Sequence, residues 1–125
     1  MKLLRVGQKG KEKPSILDVD GKIRDISSHI EDLNPENLNF ETISKIESLE
    51  LSSLPEISSN DRIGSCIARP GKFVAIGLNY SDHAAEVGAD IPKEPIMFMK
   101  ATSSICGPND NIEIVSGSKK LDWEV

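Results

Sequence analysis

The sequence predicts an α+β fold, with a small N-terminal unit of strands and a helix followed by the first strands of a second unit. Three observations carry this. Asp20-Gly21 stands between the short apolar runs Ser15-Ile-Leu-Asp18 and Lys22-Ile-Arg-Asp-Ile26, and Asp-Gly in that setting signals a β-hairpin. Phe40, Ile43, Ile46 and Leu49 recur at helical spacing. Phe73-Val-Ala-Ile76, bounded by glycines, runs into a polar stretch with helix-capping residues that ends at Gly88.

In chain order, Lys2 to Val6 alternates enough to open a strand, and 7–13 is a polar turn rich in glycine and lysine. With the Asp-Gly hairpin, the first third reads as a small β-meander. The segment 27–39 is punctuated by Asn34-Pro35. A helix is expected over about 40–48, capped by Asn39, with its apolar stripe packed on the meander. The serine-rich stretch 52–60 with Pro55 reads as a linker or loop. The composition shift near 60–70 divides the chain into units 1–65 and 66–125.

The second unit is organised around Gly71-Lys-Phe-Val-Ala-Ile-Gly-Leu-Asn-Tyr-Ser-Asp-His-Ala-Ala-Glu-Val-Gly88. The apolar run is expected as a strand buried on both faces. Gly77 is expected to let the backbone turn, and Asn79 or Ser81 to cap a short helix. Asp82 suits the positive first turn, and Gly88 a stop. His83 and Glu86, three apart, share one face of that helix. A His and a carboxylate delivered by a strand end can serve acid–base catalysis; the same pair also occurs as a solvated surface pair. Further on, Ile96-Met-Phe-Met99 reads as a second buried strand ending in Lys100. Gly107-Pro-Asn-Asp110 reads as a turn, Ile112, Ile114 and Val115 as a strand, and 116–120 as a turn. Leu121-Asp-Trp-Glu-Val125 alternates like the start of a strand, with Trp123 in the core.

Composition excludes several classes. A net charge of −5 with no basic stripe argues against nucleic acid as a partner. No apolar run approaches the twenty or so residues of a membrane span, and the N-terminus lacks a signal-peptide core. Cys66 and Cys106 match no zinc spacing, so reduced thiols in a cytoplasmic protein are expected, a disulfide being the alternative.

Gly77-Leu-Asn-Tyr-Ser-Asp-His-Ala-Ala-Glu86, Met97-Phe-Met-Lys100, Gly107-Pro-Asn-Asp110 and Leu121-Asp-Trp-Glu124, in this order and spacing, closely resemble the fumarylacetoacetate hydrolase family. Met1-Lys-Leu-Leu-Arg5, Glu12-Lys-Pro14 and Asp20-Gly-Lys-Ile-Arg-Asp25 are similar to the small N-terminal domain of its bacterial branch. Members of that branch bear labels such as ureidoglycolate lyase, 2-hydroxyhepta-2,4-diene-1,7-dioate isomerase and 2,4-didehydro-3-deoxy-rhamnonate hydrolase.

The resemblance implies that residues 66–125 begin a mixed β-sandwich roll. It implies a hydrolase, lyase or isomerase acting on a small 2-oxo or enol acid with Mg²⁺ or Mn²⁺, and a homodimer when full length. His83 matches the catalytic histidine and Glu86 the partner that orients it; Lys100 falls where the family has a lysine near the substrate. Glu124 matches the first metal glutamate, and the remaining ligands would lie beyond residue 125. Tyr80 and Asp82 are read as structural, the ring packing at the helix start. The rival expectation is an inactive N-terminal fragment or metal-less remnant that serves only folding or dimer contacts.

Overall fold

The computed structural model describes residues 1–121. It is a small mixed α+β structure with two sheets and two α-helices. Strands β1 (Lys2–Val6), β2 (Lys13–Leu17), β3 (Ile23–Asp25) and β4 (Glu56–Ile57) form an antiparallel sheet in the order β1-β2-β3-β4. The expected meander is present. The β2–β3 turn is closed by Asp18, whose carboxylate accepts from the amides of Asp20 (2.9 Å) and Lys22 (2.8 Å). Gly21 takes the left-handed φ of +77° that the turn needs.

Helix α1 (Phe40–Glu47) starts where the sequence predicts, with the Asn39 side chain accepting the Thr42 amide at 2.9 Å. Ile46 enters a core with Ile16, Ile26, Ile30 and Leu33. Phe40, the first residue of this short helix, does not join it: it is 95% exposed. The stretch 52–60 is no plain linker. It carries a 3₁₀ turn (Leu51–Ser53) and then β4, which pairs Ile57 with Ile23. A two-residue edge strand is too short for its alternation to be read from sequence.

The chain then runs along the free edge of β1. The Gly7 amide donates to Arg62 O (2.8 Å), and the Gly64 amide to Arg5 O (2.8 Å). Beyond this, β5 (Val74–Gly77) and β6 (Ile96–Met99) form a separate antiparallel ribbon, with α2 (Ser81–Glu86) in the connection between them. Both strands were expected to be buried. Instead all four residues of β6 are exposed, and β5 alternates between exposed and half-buried. A two-stranded ribbon has no second layer to cover it. The expected strand at Ile112, Ile114 and Val115 is absent; these residues are exposed and form no ladder. The strand expected from Leu121 onwards, with Trp123, lies outside the described residues apart from Leu121, which is exposed.

Candidate functional site

The β5–α2–β6 unit carries the sequence-predicted site. Gly77 remains in the β5 ladder opposite Ile96, and the left-handed turn falls on Leu78 (φ 48°). Neither Asn79 nor Ser81 caps α2. Tyr80 occupies the cap position without a side-chain hydrogen bond and is 51% exposed, so its ring does not pack as expected. Asp82 does sit in the first turn, accepting the His83 amide at 2.9 Å, and Gly88 (φ +68°) ends the helix.

The helix brings His83 and Glu86 together, with Nδ1 3.4 Å from the carboxylate. Both side chains are largely solvent-exposed. The contact is longer than the usual hydrogen bond. Geometrically, Glu86 can orient the ring, and the exposed ring can take or give a proton.

Lys100 follows β6, and its amide donates to Phe73 O at 2.9 Å. The ladder therefore places its backbone at one end of the ribbon, while the chain departs for α2 at the other, beside the Gly77–Ile96 pair. The four-residue strand β5 separates these ends, about 3.3 Å per residue. The Lys100 ammonium lies 5.6 Å from the Phe98 ring centroid, a cation–π contact. Glu124, the expected metal ligand, lies outside the described residues. Among the described residues no group of three or more His, Cys, Asp or Glu is placed to hold a metal ion. Cys66 and Cys106 are both free and exposed.

Sequence reasoning missed the ion relay that joins the two halves of the chain. Arg5 grips Asp32 through Nε (2.7 Å) and Nη2 (3.1 Å), and approaches Glu12 at 3.4 Å. Glu12 also receives Arg62 Nη1 at 2.7 Å. Arg62 forks onto Asp110 at 2.7 and 2.6 Å. Burial alone would raise the Glu12 carboxyl, but the hydrogen bond from Arg62 and the nearby Arg5 charge outweigh it and hold it below the usual range. The Arg62 fork, helped by the Gly107 amide, holds Asp110 down to about 2.

At Gly107 any Cβ would collide with the Ile63 carbonyl oxygen, so this turn is pressed directly against the N-terminal unit. The available signal was Gly107 and Asp110 within one motif; the partner Arg62, 48 residues away, had none. A cleft of about 670 Å³, lined by residues that include Arg5, Asp32, Ser65, Thr102 and Ser103, opens beside this joint; neither His83 nor Glu86 lines it.

Comparison with known proteins agrees with the motifs. Residues 72–125 match the family model described as "Fumarylacetoacetate (FAA) hydrolase C-terminal". Over all 125 residues the chain is 55% identical to a protein of Burkholderia ambifaria (strain MC40-6) and 56% identical to one of Burkholderia multivorans. It is 54% identical to one of Burkholderia cenocepacia (strain J2315). All three are provisionally named as hydrolases, and the chain spans 44% of the length of each. Residues 72–125, which carry the His83–Glu86 motif, are thus the part of the chain that is similar to the fumarylacetoacetate hydrolase family.

Proposed function

We propose that the whole protein is a hydrolase, or a lyase or isomerase of the same family, acting on a small 2-oxo or enol acid with His83 and Glu86 as its acid–base pair. The observation that carries this reading is the 3.4 Å approach of His83 Nδ1 to Glu86 on a short solvent-facing helix within the family-matched segment. Glu86 fixes the ring orientation, and His83 activates water or moves a proton at the substrate, help typically worth about 10² to 10⁴ in rate. Lys100 is assigned to the substrate carboxylate. Mg²⁺ or Mn²⁺ belongs to the proposal through the family resemblance, with Glu124 as one ligand and the others among residues this chain does not contain. When bound, the ion would hold the oxygens of the 2-oxo acid and stabilise enolate charge. The assembly proposed for the full-length protein is a homodimer. No helix among the described residues is long and apolar enough to cross a membrane.

The test is kinetic. In the chain extended to the length of its relatives, His83→Ala and Glu86→Ala should each lower turnover of oxaloacetate or an acylpyruvate by about 10²-fold or more, with unfolding unchanged. Near-parental turnover in either variant would remove the assignment. Lys100→Met should weaken substrate binding by about 1.5 to 3 kcal/mol, and unchanged KM and kcat would return Lys100 to a surface role.

A second reading, that the 125-residue chain itself does no chemistry, is favoured by one observation. The ribbon that bears the dyad exposes Val74, Ile76, Met97 and Met99, at 39% or more each. On this reading the chain alone shows no turnover and binds Mg²⁺ no tighter than about millimolar, since a hard cation needs more oxygen ligands than one carboxylate. Calorimetric titration with Mg²⁺ decides it; micromolar affinity would show a complete site.

A further inference from the structure

Among the described residues two that are not glycine have a left-handed backbone, Arg69 (φ 47°) and Leu78 (φ 48°). Arg69 precedes Pro70 with its side chain 77% exposed. Leu78 is the first of the three residues that lead from β5 to α2, five residues before His83. For an L-residue this conformation crowds Cβ against the following carbonyl oxygen, and it persists only where the surroundings demand it.

A glycine that could take it without cost is next door. Yet Gly77 keeps strand backbone in register with Ile96, where an added Cβ would meet the Ile96 side chain at an ordinary 3.5 Å. The strain is thus carried by a leucine although the glycine beside it is free of it. Helix α2 has no side-chain cap to fix its start; its first turn is held by the Ala84 amide donating to Tyr80 O at 3.2 Å. Of the three residues 78–80 that join β5 to α2, Leu78 is the one with a left-handed backbone.

Resting on the function proposed above, we propose that Leu78 is a positioning residue for the His83–Glu86 pair. Its left-handed backbone, rather than its half-buried apolar side chain, sets the direction in which α2 leaves the ribbon. Small errors of placement suffice to matter, since a displacement of about 1 Å at a reacting group can cost about 10²-fold.

The two roles reverse the order of a substitution series. If the backbone matters, Leu78→Gly and Leu78→Asn, which accept this conformation, should keep kcat within about threefold. Leu78→Val and Leu78→Ile, whose branched Cβ resists it, should lower kcat by about tenfold or more with little change in KM. Amide exchange at Ala84 and Val87, whose amides donate to Tyr80 O and His83 O, should quicken by about tenfold in the branched variants and stay at the parental rate in the Gly and Asn variants.

The assays use the chain extended to its relatives' length with oxaloacetate and acylpyruvates. Exchange needs no substrate, so it decides this proposal even where neither acid is turned over and the functional reading fails. Should the branched variants not fold, the Gly and Asn variants decide alone: parental exchange supports the proposal. An order that follows apolar size, with Val and Ile near parental and Gly and Asn impaired, overturns it.

Discussion

Ile16, Ile26, Leu33 and Ile46 in the N-terminal unit are at most 3% exposed, whereas Val74, Ile76, Met97 and Met99 on the β5–β6 ribbon are 39–72% exposed. The two regions use similar side chains. The first has four strands, a helix and the loops between them, so its apolar face meets a second layer. The ribbon has two strands, and the register pairs Val74 with Met99 and Ile76 with Met97. These four apolar side chains therefore share one face, opposite that of Ala75 and Phe98. Apolar alternation tells which face a strand offers for burial; whether it is buried depends on the layer that arrives. The region with the better-built core carries no candidate catalytic residue, and the region that carries the dyad is the less buried.

That contrast should show most strongly in the core. Leu33→Ala or Ile26→Ala removes a fully buried side chain and should cost about 2 to 5 kcal/mol in denaturant unfolding. Met97→Ser or Val74→Ser on the ribbon should change stability by less than about 0.5 kcal/mol while improving solubility. A ribbon substitution as costly as Leu33→Ala would mean that the face is covered, and the contrast would collapse.

The joint between the regions comes next. Gly107→Ala pushes a methyl against the Ile63 carbonyl and should destabilise by about 1 to 3 kcal/mol, read as a lower midpoint and faster proteolysis near residue 107. Unchanged stability would mean that the turn does not bear on the N-terminal unit.

A smaller effect is expected from acid. Asp110 is held from an ordinary value near 3.8 down to about 2, so its contribution is complete above about pH 4. As pH falls through about 2 that contribution is lost. Asp110→Asn should therefore flatten the acid limb of stability between about pH 4 and 2 and leave its shape at neutral pH unchanged. An acid limb identical to that of the parent would show that the Arg62–Asp110 fork does not contribute.

What could be read in advance divides along the same line. The Asp-Gly hairpin and the Asn39-capped helix are local devices, with signal and cause within a few residues. The His83–Glu86 juxtaposition is local too, and their three-residue spacing was enough to find it. Asn79 and Ser81 were reasonable caps by type, but Tyr80 takes the cap position and no side chain caps the helix. The edge strand β4, the exposure of the ribbon and the Arg5–Glu12–Arg62–Asp110 relay depend on contacts tens of residues apart. No periodicity encodes those contacts. Phe40 shows the remaining failure, a residue in phase with a buried stripe but exposed at the first position of its helix.

Whether His83 and Glu86 act as one unit is tested most directly by a double-mutant kinetic cycle. If Glu86 works through His83, the double variant His83→Ala/Glu86→Ala should lose no more than either single variant, about 10²-fold in turnover. Losses that multiply to about 10⁴-fold would show two residues acting independently, and the dyad would have to be abandoned.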